Sequence, residues 1–303
     1  MEIIINTNDK VGIRIDVFLK EYLEYSRTYI TGLIDEGYVS VNGTYIDKPS
    51  YKTKLNDIIE VEDRESISLD IVPQNIPLDI IYEDDDILIV NKERGMVVHP
   101  SYGHNDNTLV NAIMYHCKDN LSSINGVIRP GIVHRIDKDT SGILCVCKND
   151  FSHNDIGEQF FKHTNKRKYK AIVKGIISSD EGFIDKPIGR DKKNRLRMAI
   201  DLNGKEAKTH YKVIKRYTNY TYVECELFTG RTHQIRVHMK SIGHPLLGDL
   251  VYGSKSKDFA DIDGQILHAY YLELNHPRTK ERMVFETGLP KYFEDVCKKL
   301  DRR

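Results

Sequence analysis

The run Gly131-Ile132-Val133-His134-Arg135-Ile136-Asp137-Lys138-Asp139-Thr140-Ser141-Gly142-Ile143-Leu144-Cys145-Val146-Cys147-Lys148 decides the reading of this chain. From Gly142 onward it is apolar over the length of a strand, which predicts a buried strand. Directly before it stand a His, an Arg, two Asp, a Thr and a Ser, in the strand-edge position where functional groups are commonly mounted. The residues alone leave several readings open. A capped, charged turn is one, and a single nucleophilic Asp is another. An aspartic-protease loop fails because Ser141 separates Thr140 from Gly142, and no second copy supplies a partner carboxylate. A Ser–His hydrolase is weaker still, for want of G-x-S-x-G.

Outward from this run, short strands alternate with occasional helices. Asp86–Lys92 is an apolar strand, Thr108–Cys117 a helix, Phe151–Phe161 a second helix, and Tyr169–Gly175 alternates as a strand. Val213–Leu227 holds further strand-like runs rich in Tyr and Val. No repeated βαβ pattern, GxGxxG, P-loop or 20–50-residue repeat is present. The expected class is α+β, with a mostly antiparallel mixed sheet in the larger domain and a small α+β domain in front. The expected boundaries are 1–63 for the small domain, 64–79 for an extended linker containing Pro73 and Pro77, and 80–303 for the larger domain.

The small domain reads as two helices feeding a hairpin. Arg14–Tyr25 has helical spacing, Ser26 is placed to cap a second helix, and Tyr29, Ile30, Leu33 and Ile34 share a face of that helix. Gly37 is placed to end it. Asn42-Gly43 then suits a tight hairpin turn, and Asp57–Glu62 a last strand.

The chain has 303 residues, with 45 Lys+Arg against 45 Asp+Glu. No apolar run approaches the ~20 residues of a membrane helix, and the first residues carry no signal-peptide pattern. Five cysteines without a CxxC are an odd number for a disulfide framework and fit a reducing, cytoplasmic setting. The zero net charge conceals an asymmetry. Asp57–Asp86 has eleven acidic residues and one basic, whereas Lys162–Arg216 has seventeen basic and six acidic. A balanced total is therefore compatible with one positive surface and a polyanion partner.

Three segments in order carry a resemblance. His134–Gly142 resembles the signature of the RluA family of RNA pseudouridine synthases. Lys168-Tyr169-Lys170-Ala171-Ile172-Val173-Lys174-Gly175 resembles that family's tyrosine motif. Leu227–His238 with Gly243–Asp249 resembles its arginine motif, and Leu267-His268-Ala269 and His276-Pro277 fit its C-terminal pattern. In front, Arg14-Ile15-Asp16, Ser26-Arg27 and Leu33–Gly43 resemble the S4 RNA-binding domain, although acidic side chains outnumber basic ones there. The departures are mild: Ile136 stands for the usual Leu, and Cys145 and Cys147 for Val or Ala.

The resemblance implies an enzyme with the pseudouridine synthase fold that isomerises uridine to pseudouridine in structured RNA, foremost large-subunit ribosomal RNA. It implies a nucleophilic aspartate, a flipped-out nucleotide and no cofactor. Asp137 is the implied carboxylate, Arg236 its cation and Tyr169 a stacking partner for the uracil. Arg135 would fill the gap left by the extruded nucleotide. Arg231 stands equally for phosphate contact and structural anchoring. Lys20 and Arg27 match phosphate-contacting positions, and Lys192, Lys193, Arg195 and Arg197 form a polar insertion suited to phosphate. His134, His233 and His238 lack zinc spacing and read as structural, so no metal is expected. The partner is RNA and not a membrane, and the chain is expected to be a monomer. The rival from another class is a non-enzymatic RNA-binding or ribosome-assembly protein.

Overall fold

A computed structural model describes residues 2–5, 7–23, 27–62, 71–100, 106–118, 120–124, 130–194 and 197–302. The chain divides into two compact units, Met1–Asp70 and Ile71–Arg303.

The first unit contains β1 (Glu2–Ile4), α1 (Ile15–Phe18), α2 (Arg27–Asp35), β2 (Val39–Val41), β3 (Thr44–Tyr45) and β4 (Ile58–Val61). Its sheet runs β1-β4-β2-β3, antiparallel throughout. The helix expected from Arg14 to Tyr25 is shorter: after Phe18 it tightens into a 3-10 turn, Leu19–Glu21. That winding keeps Phe18 and Leu19 buried beside Ile30, Leu33 and Ile34. Tyr29, expected on the same face of α2, is instead exposed. The capping position Ser26 lies outside the described residues. Asn42 and Gly43 both have positive φ, 53° and 74°, as a type I′ hairpin turn requires.

The second unit opens with β5 (Ile80–Glu83), β6 (Ile87–Lys92), α3 (Leu109–Cys117), β7 (Ser141–Cys147) and α4 (Asp150–Phe161). It continues with β8 (Lys166–Lys174), β9 (Glu181–Asp185), β10 (Ile188–Arg190), β11 (Met198–Ile200), β12 (Lys208–Arg216) and β13 (Tyr220–Leu227). α5 (Gln234–Ser241), β14 (Leu267–Asn275), β15 (Arg282–Glu286) and α6 (Lys291–Asp301) complete it. Nine of these strands form one sheet, ordered β5-β6-β7-β14-β8-β13-β12-β9 with β15 on β14. Only β7–β14 is parallel among the described pairs, so the mostly antiparallel mixed sheet is what the chain builds.

Period-two alternation sends side chains to opposite faces. One face packs Leu144, Val146, Tyr169, Ala171 and Leu227 against α3 and α5. The other packs Ile143, Cys145 and Cys147 with Ile156 of α4, and Ile172 and Tyr222 with Phe293 of α6. Covered on both faces, β7 is buried at every residue, which explains its unbroken apolar run. The predicted linker needs correcting at its second half. Residues 71–79 do lack helix and strand, but Ile71 is buried in the core, and Asn111 Nδ2 donates to the Val72 carbonyl at 2.9 Å. Proline keeps this segment out of the ladder, while its apolar side chains tie it to the second unit. Residues 64–70 lie outside the described residues.

Gly142 joins this architecture to the motif before it. Its φ is +118°, and a Cβ there would stand 2.1 Å from the Ala269 carbonyl oxygen across the parallel pair. Gly142→Ala is expected to destabilise the chain by about 3 kcal/mol or more, lowering the melting temperature by roughly 6–12 °C in a calorimetric scan.

Candidate active site

Three elements converge on one cavity of about 470 Å³. The loop before β7 brings Arg135 and Asp137, β8 brings Arg167 and Tyr169, and α5 with the turn before it brings Arg231, His233 and Arg236. Asp137 and Arg236, 99 positions apart in the chain, meet here.

At its wall Arg236 joins two carboxylates. Its Nη1 donates to Asp137 Oδ2 at 2.8 Å, and its Nε and Nη2 donate to Asp249 Oδ2 and Oδ1 at 2.7 and 3.0 Å. Asp249 is fully buried and also accepts from the backbone N–H groups of Val251 and Tyr252. Burial alone would raise the Asp249 pKa, but Arg236 and those N–H groups hold it below the ordinary carboxylate value. Burial likewise disfavours the Arg236 cation, and the two aspartates more than offset this. The side chain of Asp137 keeps 18% of its surface exposed to the cavity.

Asp137 Oδ1 lies 3.8 Å from His233 Nε2. His233 Nδ1 bonds the Tyr252 hydroxyl at 2.7 Å, and that hydroxyl accepts the Met198 N–H at 2.8 Å. The Tyr252 ring lies beneath the Arg236 guanidinium, 5.0 Å from centroid to carbon. His233 adopts a left-handed conformation, φ 56°, uncommon for a non-glycine residue and the kind of local strain found at functional sites. Burial pushes its pKa down, with Asp137 opposing.

The loop carrying Asp137 is anchored from below by Lys92, which is 2% exposed. Its ammonium donates to the carbonyls of Glu93, Met96 and Lys138 at 2.6, 2.8 and 3.1 Å. Burial lowers its pKa to about 7, yet three carbonyl acceptors use all three N–H groups of the charged form.

The remaining expected residues divide. Tyr169 is buried in the cavity wall and burial raises its pKa, which favours packing over proton abstraction. Arg135 is exposed at the cavity with Nη1 3.5 Å from His99 Nε2. Arg231 lines the cavity and its Nε donates to the Glu206 carbonyl at 2.8 Å. In the first unit, Arg27 is half engaged: its Nε and Nη2 donate to buried Asp16 at 2.9 and 2.8 Å, and Lys20 is exposed. Lys192, Lys193 and Arg197 sit in the loop between β10 and β11 and do not line the cavity, the first two exposed. Arg195 lies outside the described residues. The histidines read as structural do make structural bonds. His134 Nε2 accepts the Cys145 N–H at 2.9 Å, and His238 bonds Thr209 and the Lys186 carbonyl. Burial lowers the His134 pKa to about 3, so it is neutral.

Asp249, Lys92, Arg167 and Tyr252 had no assigned role in the sequence. Asp249 closes a quoted motif, and that position was the only available signal.

Residues 86–241 match the family model described as RNA pseudouridylate synthase, and residues 13–59 match the S4 domain. An uncharacterized RNA pseudouridine synthase of Bacillus subtilis is 51% identical over 288 residues, covering 95% of this chain and 94% of its own. The ribosomal large subunit pseudouridine synthase D of Zymomonas mobilis is 45% identical over 304 residues, covering 97% and 96%. The solved structure of human RNA pseudouridylate synthase domain containing 1 matches at a TM-score of 0.58 and 25% identity, covering 79% of this chain and 98% of its own.

Asp249→Asn leaves Arg236 buried with half its partner, so a loss of about 3 kcal/mol is expected at pH 7. The folded-state pKa of Asp249 is depressed, so its contribution is complete above the unfolded value of ~3.9 and disappears as pH falls through the folded value. Melting curves should show the gap between wild type and variant narrowing only below about pH 4. Lys92→Met removes one donor from several buried carbonyls and is expected to cost about 2–4 kcal/mol in a denaturant titration.

Proposed function

The chain belongs to the RluA family of RNA pseudouridine synthases, and on that premise we propose that it modifies large-subunit ribosomal RNA with Asp137 as the acting carboxylate. The reaction breaks the C1′–N1 glycosidic bond, rotates the uracil and joins C5 to C1′. C5 loses a proton and N1 gains one, so atoms and redox state balance and no cofactor need take part. The observation that carries the reading is the Asp137–Arg236 contact of 2.8 Å at the wall of an open cavity. The guanidinium engages one carboxylate oxygen, Oδ2, and leaves Oδ1 without an Arg236 N–H. Tyr169 supports the uracil from the same wall.

Arg135 is exposed at the cavity and suits the gap left when the nucleotide swings out, an extrusion that costs a few kcal/mol. The exposed lysines of the β10–β11 loop suit RNA phosphates, and its strand reaches Asp137 through Met198, Tyr252 and His233. In the S4 domain, Arg14 and Arg27 share Asp16, which lessens the charge they offer to RNA and fits a domain that orients more than it binds. The choice of ribosomal RNA rests on the relatives' names. Five free cysteines fit a reducing cytoplasm, and a cavity built by one chain fits a monomer. A non-enzymatic RNA-binding protein would have no use for the Arg236 arrangement.

Asp137→Ala is expected to abolish pseudouridine formation on a large-subunit ribosomal RNA transcript while RNA affinity stays within about threefold. Continued product formation would remove Asp137 from the mechanism. Changing Lys192, Lys193, Arg195 and Arg197 together to Gln should flatten the log–log salt dependence of RNA binding by up to about 3. An unchanged slope rejects that loop as a phosphate contact.

A further inference from the structure

Arg167 is the group in the cavity that the reaction does not explain. It projects from β8 two residues before Tyr169, is 8% exposed, and lines the cavity. Among the described residues its Nε and Nη2 are buried with no hydrogen-bond partner. A buried guanidinium without a counter-charge is costly, and such groups are ordinarily paired. Here the surroundings make the cost worse. Arg231 shares the cavity wall, repels it, and its Nε donates to the neutral Glu206 carbonyl.

The chain nevertheless builds a seat for this side chain. The guanidinium carbon lies 5.3 Å from the Phe160 ring, which stacks in turn on His134 at 4.3 Å and 19°. On the other side is Gly230, where a Cβ would stand 2.6 Å from Arg167 Nη1. Gly230 does not have positive φ, so what a side chain there would meet is the guanidinium itself. Among the described residues the cavity wall carries four arginines and one carboxylate, Asp137. Of the four, Arg236 is engaged by aspartates, which leaves Arg135, Arg167 and Arg231 facing the space as cations.

We propose that Arg167 is the seat of a backbone phosphate of the RNA, the one flanking the uridine that enters the cavity. This rests on the pseudouridine synthase reading and adds to it the group that anchors the nucleotide. A uracil carbonyl would satisfy the two N–H groups but leave the charge unbalanced. A phosphate does both, and the guanidinium fork matches its oxygens.

The test uses the full chain, fluorescein-labelled oligo(U) dodecamer as probe, and anisotropy titrations from 50 to 300 mM salt. Arg167→Met should bind about tenfold more weakly at 100 mM salt, with the slope of log Kd against log salt reduced by about 0.7. The free Arg167→Met protein should melt about 2–4 °C higher, because an unbalanced buried charge is gone. Arg167→Lys should keep the slope and lose part of the affinity. Gly230→Ala should reproduce the smaller slope with Arg167 still present, by displacing the guanidinium. An unchanged slope in both Arg167→Met and Gly230→Ala overturns the proposal and leaves Arg167 a base contact or a structural residue. Failure of the wild type to bind oligo(U) at 50 mM salt overturns it equally. Conversion of [5-³H]uridine-labelled ribosomal RNA by the wild type is followed in parallel. No conversion would strike at the choice of RNA, whereas the slopes judge Arg167 separately.

Discussion

The guanidinium of Arg236 between Asp137 and Asp249 is the constraint to which the rest of the second unit is fitted. A single buried cation is costly and a single buried anion equally so. Two carboxylates on one guanidinium would also fail if both were equally buried, because one negative charge would be left in excess. The arrangement resolves this by unequal placement. Asp249 is sealed and takes two backbone N–H groups in addition to the fork, so its charge is balanced locally. Asp137 receives a single N–H, from Nη1, and stays open to the cavity. The excess negative charge therefore resides on the carboxylate proposed to act.

Holding that asymmetry in place requires the supporting structure to be stiff. The Asp137 loop cannot be fixed by ladder hydrogen bonds, since it precedes β7. It is fixed instead by Lys92 and the Gly95 N–H on the Lys138 carbonyl, and by the Thr140 N–H on the carbonyl of Asp137 itself. The other side of the pair is fixed by a helix, α5, entered through the left-handed His233. The same residue bonds Tyr252, so the strained turn is held by the network it serves. A displacement of one ångström in either support would be felt in the chemistry.

The strands were legible because burial on two faces leaves a plain apolar or alternating pattern, as in β7 and β8. The first helix was less so, because its spacing does not record that the winding tightens after Phe18. Within the site, Asp137, Tyr169 and Arg236 were reached through motifs. Asp249 was not assigned, because thirteen residues separate it from Arg236 and the path between them leaves a helix and passes through a turn. Lys92 looked like any lysine at a strand end. Arg167 was concealed for a different reason. The basic run from Lys162 to Arg216 reads as one positive surface, but alternation on β8 divides it. Lys168 and Lys170 lie over the rings of Tyr271 and Tyr270, whereas Arg167 and Tyr169 turn inward to the cavity. A count of charges along a strand does not distinguish its two faces.

That division gives the cavity two poles. Asp137 with Arg236 and Asp249 carries a net negative charge, and Arg167 with Arg231 carries an unbalanced positive one. Tyr169 stands in the field of both, with Arg167 and Asp137 pulling its phenol in opposite directions. A ribonucleotide is itself polar in this sense: its phosphate is anionic, and its sugar–base junction is neutral until the glycosidic bond begins to break. A phosphate is repelled by the Asp137 pole and drawn to the Arg167 pole, and positive charge developing at C1′ has the reverse preference. On the proposed reading, the field of the cavity orients the nucleotide before any contact with the base is made, using charges that are costly to the free protein and are balanced by the RNA phosphate.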